Sequence, residues 1–133
     1  MDKTNVKVEF SIFGDEINPE VITSTLKIKP TRQWLKGDHI RNDLFRKESC
    51  WEISTEYEES YDINDQLDKI IDRISDKESE IHSLLKTYNA ECKFEIVIQI
   101  ENNEKPAMYI TRERITFLNN IRASIDFDLY IYS

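Results

Sequence analysis

The first strongly patterned stretch sets Val6, Val8, Phe10 and Ile12 on one face and Lys7, Glu9, Ser11 and Phe13 on the other. Such period-two alternation predicts a half-buried strand, closed by Gly14-Asp15. Asn18-Pro19 places an N-cap residue before a proline suited to the first helical position, and opens a short helix carrying Val21, Ile22 and Leu26 inward. Pro30 ends that helix and its follower. Residues 27–49 read as a long connection with one short extended piece near residues 32–35. Trp51, Ile53 and Thr55 begin a second strand. Ile63, Leu67, Ile70, Ile71 and Ile74 then recur along one helical face. Ser75-x-x-Glu78 has the capping-box form and introduces a helix burying Ile81, Leu84, Leu85 and Tyr88, which ends at Asn89.

The clearest strand follows, with Cys92, Phe94, Ile96, Ile98 and Ile100 alternating with polar neighbours and Val97. After a turn over residues 102–106, Met108-Tyr109-Ile110 reads as a short strand, and Thr111 as the cap of a helix burying Ile115, Leu118 and Ile121. The last strand alternates Ile125, Phe127, Leu129 and Ile131 with Asp126, Asp128, Tyr130 and Tyr132. Long alternating strands mixed with helices predict an α+β fold. Its sheet is mostly antiparallel with helices packed on one face, in a ferredoxin-like or duplicated split-βαβ arrangement. The 133 residues suffice for one such domain, spanning 1–133.

Charge narrows the choice of partner. The formal net charge is −8, and the excess of acids lies entirely within residues 52–80, which hold eleven acids and three bases. Residues 27–47 are basic instead. An acidic chain is a poor general partner for nucleic acid, which requires a basic surface. Two glycines are too few for a glycine-rich phosphate cradle. No stretch is apolar enough to span a bilayer, and Met1–Lys7 lacks the apolar run of a signal peptide, so a cytoplasmic setting without membrane contact is expected.

Chemistry-bearing motifs are sparse. His39 and His82 have no second His or Cys at metal-ligand spacing. Cys50 and Cys92 read as buried thiols, and no Gly-x-Ser-x-Gly occurs. No catalytic residue, metal ligand or cofactor is therefore expected. The leading expectation is a small non-catalytic binding protein, of the immunity type, that neutralises a basic toxin or nuclease through an acidic surface. Its contact residues would be Glu56, Tyr57, Glu58, Glu59, Tyr61, Asp62 and Asp65. The alternative is a small-ligand-binding protein or enzyme. It would use the loop bearing Arg32, Trp34, Lys36 and Asp38, with the carboxylates Asp126 and Asp128 on one strand face. A third reading is an accessory domain forming a homodimer through a terminal sheet edge.

Gly14-Asp15, Pro19, Ile22, Leu26, Ile28, Pro30-Thr31, Trp34 and Gly37-Asp38, then Trp51, Ser54-Thr55 and residues 124–130, carry a resemblance over nearly the whole chain. It is to the bacterial family catalogued as domain of unknown function 4279. The resemblance implies turn glycines, a helix-starting proline and buried aromatics, and brings no catalytic residue with it.

Overall fold

The computed structural model describes residues 3–132, and the long apolar alternations form its central strands. In chain order the elements are β1 (Asn5–Gly14), α1 (Pro19–Leu26), β2 (Arg32–Trp34), β3 (His39–Arg41), β4 (Leu44–Phe45), β5 (Ser49–Ser54), β6 (Glu58–Glu59), α2 (Ile63–Ile74), α3 (Glu78–Tyr88), β7 (Glu91–Ile100), α4 (Arg112–Asn120) and β8 (Ala123–Ile131). One six-stranded sheet runs β2-β5-β1-β7-β8, with β6 paired to β1. β3 and β4 form a separate hairpin.

Every pair along the path is antiparallel except β7–β8, which is parallel through the α4 crossover. The strands β7-β1-β5-β2, taken in chain order as first, second, third and fourth, lie 4-1-3-2. That is the ferredoxin-like order, to which α4 and β8 add one strand. Register places Phe10 against Ile53 and Phe94, and Ile12 against Trp51 and Cys92, so one sheet face is continuously apolar. Helix residues Ile22, Leu26, Leu67, Ile70, Ile74, Ile81 and Leu118 close over it in a single core. The Trp51 indole is fully buried and donates its N–H to Thr23 Oγ1 at 2.9 Å, tying β5 to α1.

Local sequence explains the helix ends. Asn18 Oδ1 accepts from the Glu20 and Val21 amides, and Pro19 sits at the first helical position. Asn89 adopts the left-handed conformation (φ 50°) that closes α3. Residues 27–49 hold three short strands rather than one extended piece, because β3 and β4 pair with each other as a hairpin, and four further expectations differ from the structure. Ser75 ends α2 in helical conformation rather than opening a capping box, and α3 starts without a side-chain cap because Lys77 N–H turns back onto the Ile74 carbonyl. Residues 108–110 are not a strand: Ala107 is pinned between Tyr61 and Ile63 at the start of α2, and β8 occupies the place beside β7. Thr111 precedes α4, yet its hydroxyl accepts from Arg114 instead of capping. Val21 and Ile115 are exposed on their helices, and Phe127, Leu129 and Ile131 are exposed on the outer strand, whereas Ile125 packs against the core.

Candidate functional site

The face opposite the helices is where polar positions of the alternating strands collect. Residues paired across the strands form rows on it. One row reads Arg32, Glu52, Ser11, Lys93 and Ser124, and the next brings Glu9, Glu95 and Asp126 side by side. Like charges on adjacent strands are unfavourable, and lysines offset them here. Lys7 lies 3.7 Å from Glu9, and Lys93 lies 3.8 Å from Glu95 and 3.9 Å from Asp126.

Glu52 is the anchor of the first row. One of its oxygens accepts from Ser11 Oγ at 3.2 Å and the other from Arg32 Nε at 3.1 Å. Its side chain is only 7% exposed, and that of neighbouring Glu9 is 12% exposed. Burial pushes the Glu9 carboxyl above its ordinary range; the charge of Glu52 and a hydrogen bond with it add to the shift, against the pull of Lys7. Beside them the Cys50 thiol is pushed up to about 12, chiefly by burial, so it is no nucleophile at neutral pH.

A flap roofs this end of the face. Gly37 (φ 89°) and Asp38 fold the chain back, with Gly37 N–H donating to the Arg46 carbonyl and Arg46 N–H to the Asp38 carbonyl, both at 2.8 Å. The β3–β4 hairpin beyond presents Ile40, Leu44 and Phe45, all exposed, toward the sheet. The Arg46 guanidinium lies 3.9 Å from the centre of the Trp34 ring, a cation–π contact that holds the flap base to β2. Between flap and sheet is a cleft of about 400 Å³, with Glu9, Ser11, Glu52 and Lys93 on its polar floor and Phe13, Trp34 and the hairpin residues as its walls. A second cleft, of about 700 Å³, lies between the end of α3 and Arg122 but contains no buried ionisable group.

Of the residues expected from the loop and strand face, Arg32 and Trp34 line the cleft. Lys36 instead pairs with Asp15 at 3.1 Å, and Asp38 accepts from the Leu35 amide to shape the flap turn. Asp126 shares the open face and touches Lys93, while Asp128 accepts from Tyr130. Both lie on β8, three strand spacings from Glu52, or about 14 Å.

In the acidic segment, Glu58 pairs with Lys69 at 2.7 Å and Glu59 with Lys3 at 3.8 Å, and Asp62 caps α2 through the Asn64 amide. The hydrogen bonds from Lys69 and Gln66 hold Glu58 below the usual carboxylate range. Glu56, Tyr57, Tyr61 and Asp65 stay exposed. Glu9, Ser11, Glu52, Lys93 and Glu95 were legible only as polar strand positions. Their signal is the lack of any helix left over to cover a second sheet face.

Chemically, the floor offers one buried carboxylate paired with arginine and, beside it, a second carboxyl whose pKa is raised first by burial. Among the described residues no group of three or more His, Cys, Asp or Glu is placed to hold a metal ion. No helix there is long and apolar enough to cross a membrane. Comparison with curated proteins and with solved structures yields no match. A family model described as Domain of unknown function (DUF4279) matches residues 4–132, nearly the whole chain, and the chain belongs to that family.

Proposed function

We propose that this protein binds a small amphiphilic cation in the cleft between the open sheet face and the β3–β4 flap. The observation that carries the reading is the sign of the buried charge. Glu52 and Glu9 are 7% and 12% exposed at the side chain, whereas the cations beside them, Arg32, Lys93 and Lys7, are 54%, 35% and 25% exposed. A carboxyl shut off from water has its charged form favoured when a cation docks against it, and a water-poor site strengthens that attraction. Phe13, Ile40, Leu44 and Phe45 supply an apolar wall for an aliphatic or aromatic body. Isothermal titration calorimetry with phenethylamine and with hydrocinnamate, its carboxylate counterpart, tests the charge preference. The amine is expected to bind, about tenfold more weakly to Glu9→Gln. Equal binding of both probes, or of the amine to wild type and Glu9→Gln, contradicts the reading.

A second reading is the protein-binding role of the immunity type, aimed at a basic toxin or nuclease. It draws on exposed Tyr57 and Tyr61 beside Glu56 and Glu59. The pairing of Glu58, Glu59 and Asp68 with Lys69, Lys3 and Arg114 leaves less unpaired acid there than the sequence count implies, which favours the cleft. A cytoplasmic setting suits either reading, since Cys50 and Cys92 are free and buried.

A further inference from the structure

We infer that β8 is the interface of a two-fold dimer, in which a second copy of this chain pairs antiparallel along its free edge about Leu129. The two edges of the sheet are unlike. β2 is three residues long and runs into the flap, whereas β8 is nine residues long and carries no Pro, Gly or Lys that would discourage pairing. Its apolar face is uncovered: Phe127, Leu129 and Ile131 are 41%, 44% and 66% exposed.

The choice of a second copy comes from the strand's own pattern. Tyr132 N–H donates to the Ile100 carbonyl, so by strand alternation the even-numbered residues turn their backbone groups toward β7. Those of Ile125, Phe127, Leu129 and Ile131 point outward. With the axis at Leu129, these outward residues meet as hydrogen-bonded pairs, Leu129 with Leu129 and Phe127 with Ile131 of the second copy. On the other face Asp128 then meets Tyr130, and Asp126 meets Tyr132. Moving the axis to Asp128 opposes two Asp128 carboxylates, and moving it to Phe127 opposes Asp126 and Asp128. Like charges directly opposite are unfavourable. Moving it to Tyr130 shortens the ladder. Of these registers, the one about Leu129 joins the three exposed apolar residues to one another and sets no carboxylate against another.

Sedimentation velocity across the micromolar range, combined with cysteine cross-linking of the full chain, tests this. In the proposed register the two Leu129 Cα atoms lie about 5.5 Å apart, within disulfide reach. Leu129→Cys is expected to give a covalent dimer on mild oxidation, and Tyr130→Cys, which faces Asp128, is not. Leu129→Lys sets two ammonium groups against each other and should weaken the dimer about 100-fold while circular dichroism stays native. A wild-type monomer at every concentration overturns the proposal. So does a dimer that fails to cross-link through Leu129→Cys, or one that cross-links equally through Tyr130→Cys.

Discussion

Arg32 Nε meets Glu52 Oε2 at 3.1 Å across directly paired residues of β2 and β5. The carboxylate is enclosed and its cation half exposed, so the pair is asymmetric: Glu52 depends on Arg32 more than Arg32 depends on it. Arg32→Met leaves a buried acceptor short of its charged partner and should cost about 1–2 kcal/mol in urea unfolding. Adding Glu52→Gln should recover part of that loss. Full additivity of the two substitutions would show that the pair is not coupled.

Glu9 gives the opposite sign of pH dependence from a salt-bridged carboxylate. Its folded-state pKa lies above the ordinary value of 4.5, so the folded chain holds the proton more tightly than the unfolded one. The contribution of this group to stability is greatest at low pH, and it falls as pH rises from about 4.5 through the folded value. Glu9→Gln removes that fall. Thermal melts should find the variant more stable than wild type at neutral pH, with the difference shrinking in acid; a difference that grows in acid would contradict the assignment.

Both thiols are pushed up to about 12, first by burial. Neither carries thiolate at neutral pH, and both are buried, Cys50 at the floor of the cleft. Labelling with a chromogenic disulfide should be negligible in buffer and reach two equivalents in denaturant. Rapid labelling of Cys50 in the native protein would mean that the cleft floor opens to solvent.

The flap lies outside the buried core. Leu44 and Phe45 are exposed and lie outside the main core. Phe45→Ala should therefore change unfolding free energy by less than about 0.5 kcal/mol. A loss of several kcal/mol would show that the hairpin is part of the core and not a wall of a ligand site.

How much of this was readable in the chain depends on the range of the interaction. Asn18-Pro19, Asn89 and the alternations at Val6–Ile12 and Cys92–Ile100 act locally, and their elements lie where the pattern places them. The Ser75-x-x-Glu78 match failed because Ser75 remains helical, and the backbone bond from Lys77 to Ile74 makes the turn instead. Phe127, Leu129 and Ile131 alternate like a buried strand, but whether anything covers them depends on where the helices end, which strand periodicity does not encode. Arg32 and Trp34 could be singled out because a tryptophan among cations is unusual. Glu52 was indistinguishable from its ten acidic neighbours in residues 52–80, since its burial arises from Ser11 and Arg32, 41 and 20 residues away.

The most direct test of the cleft as a ligand site is a ¹H–¹⁵N correlation titration of the isotope-labelled protein with phenethylamine. Saturable shifts should concentrate at the amides of Glu9, Ser11, Glu52, Phe45 and Arg46, with Tyr57 and Tyr61 unmoved. Shifts centred on Tyr57 and Tyr61, or none beyond those produced by hydrocinnamate, would contradict the account.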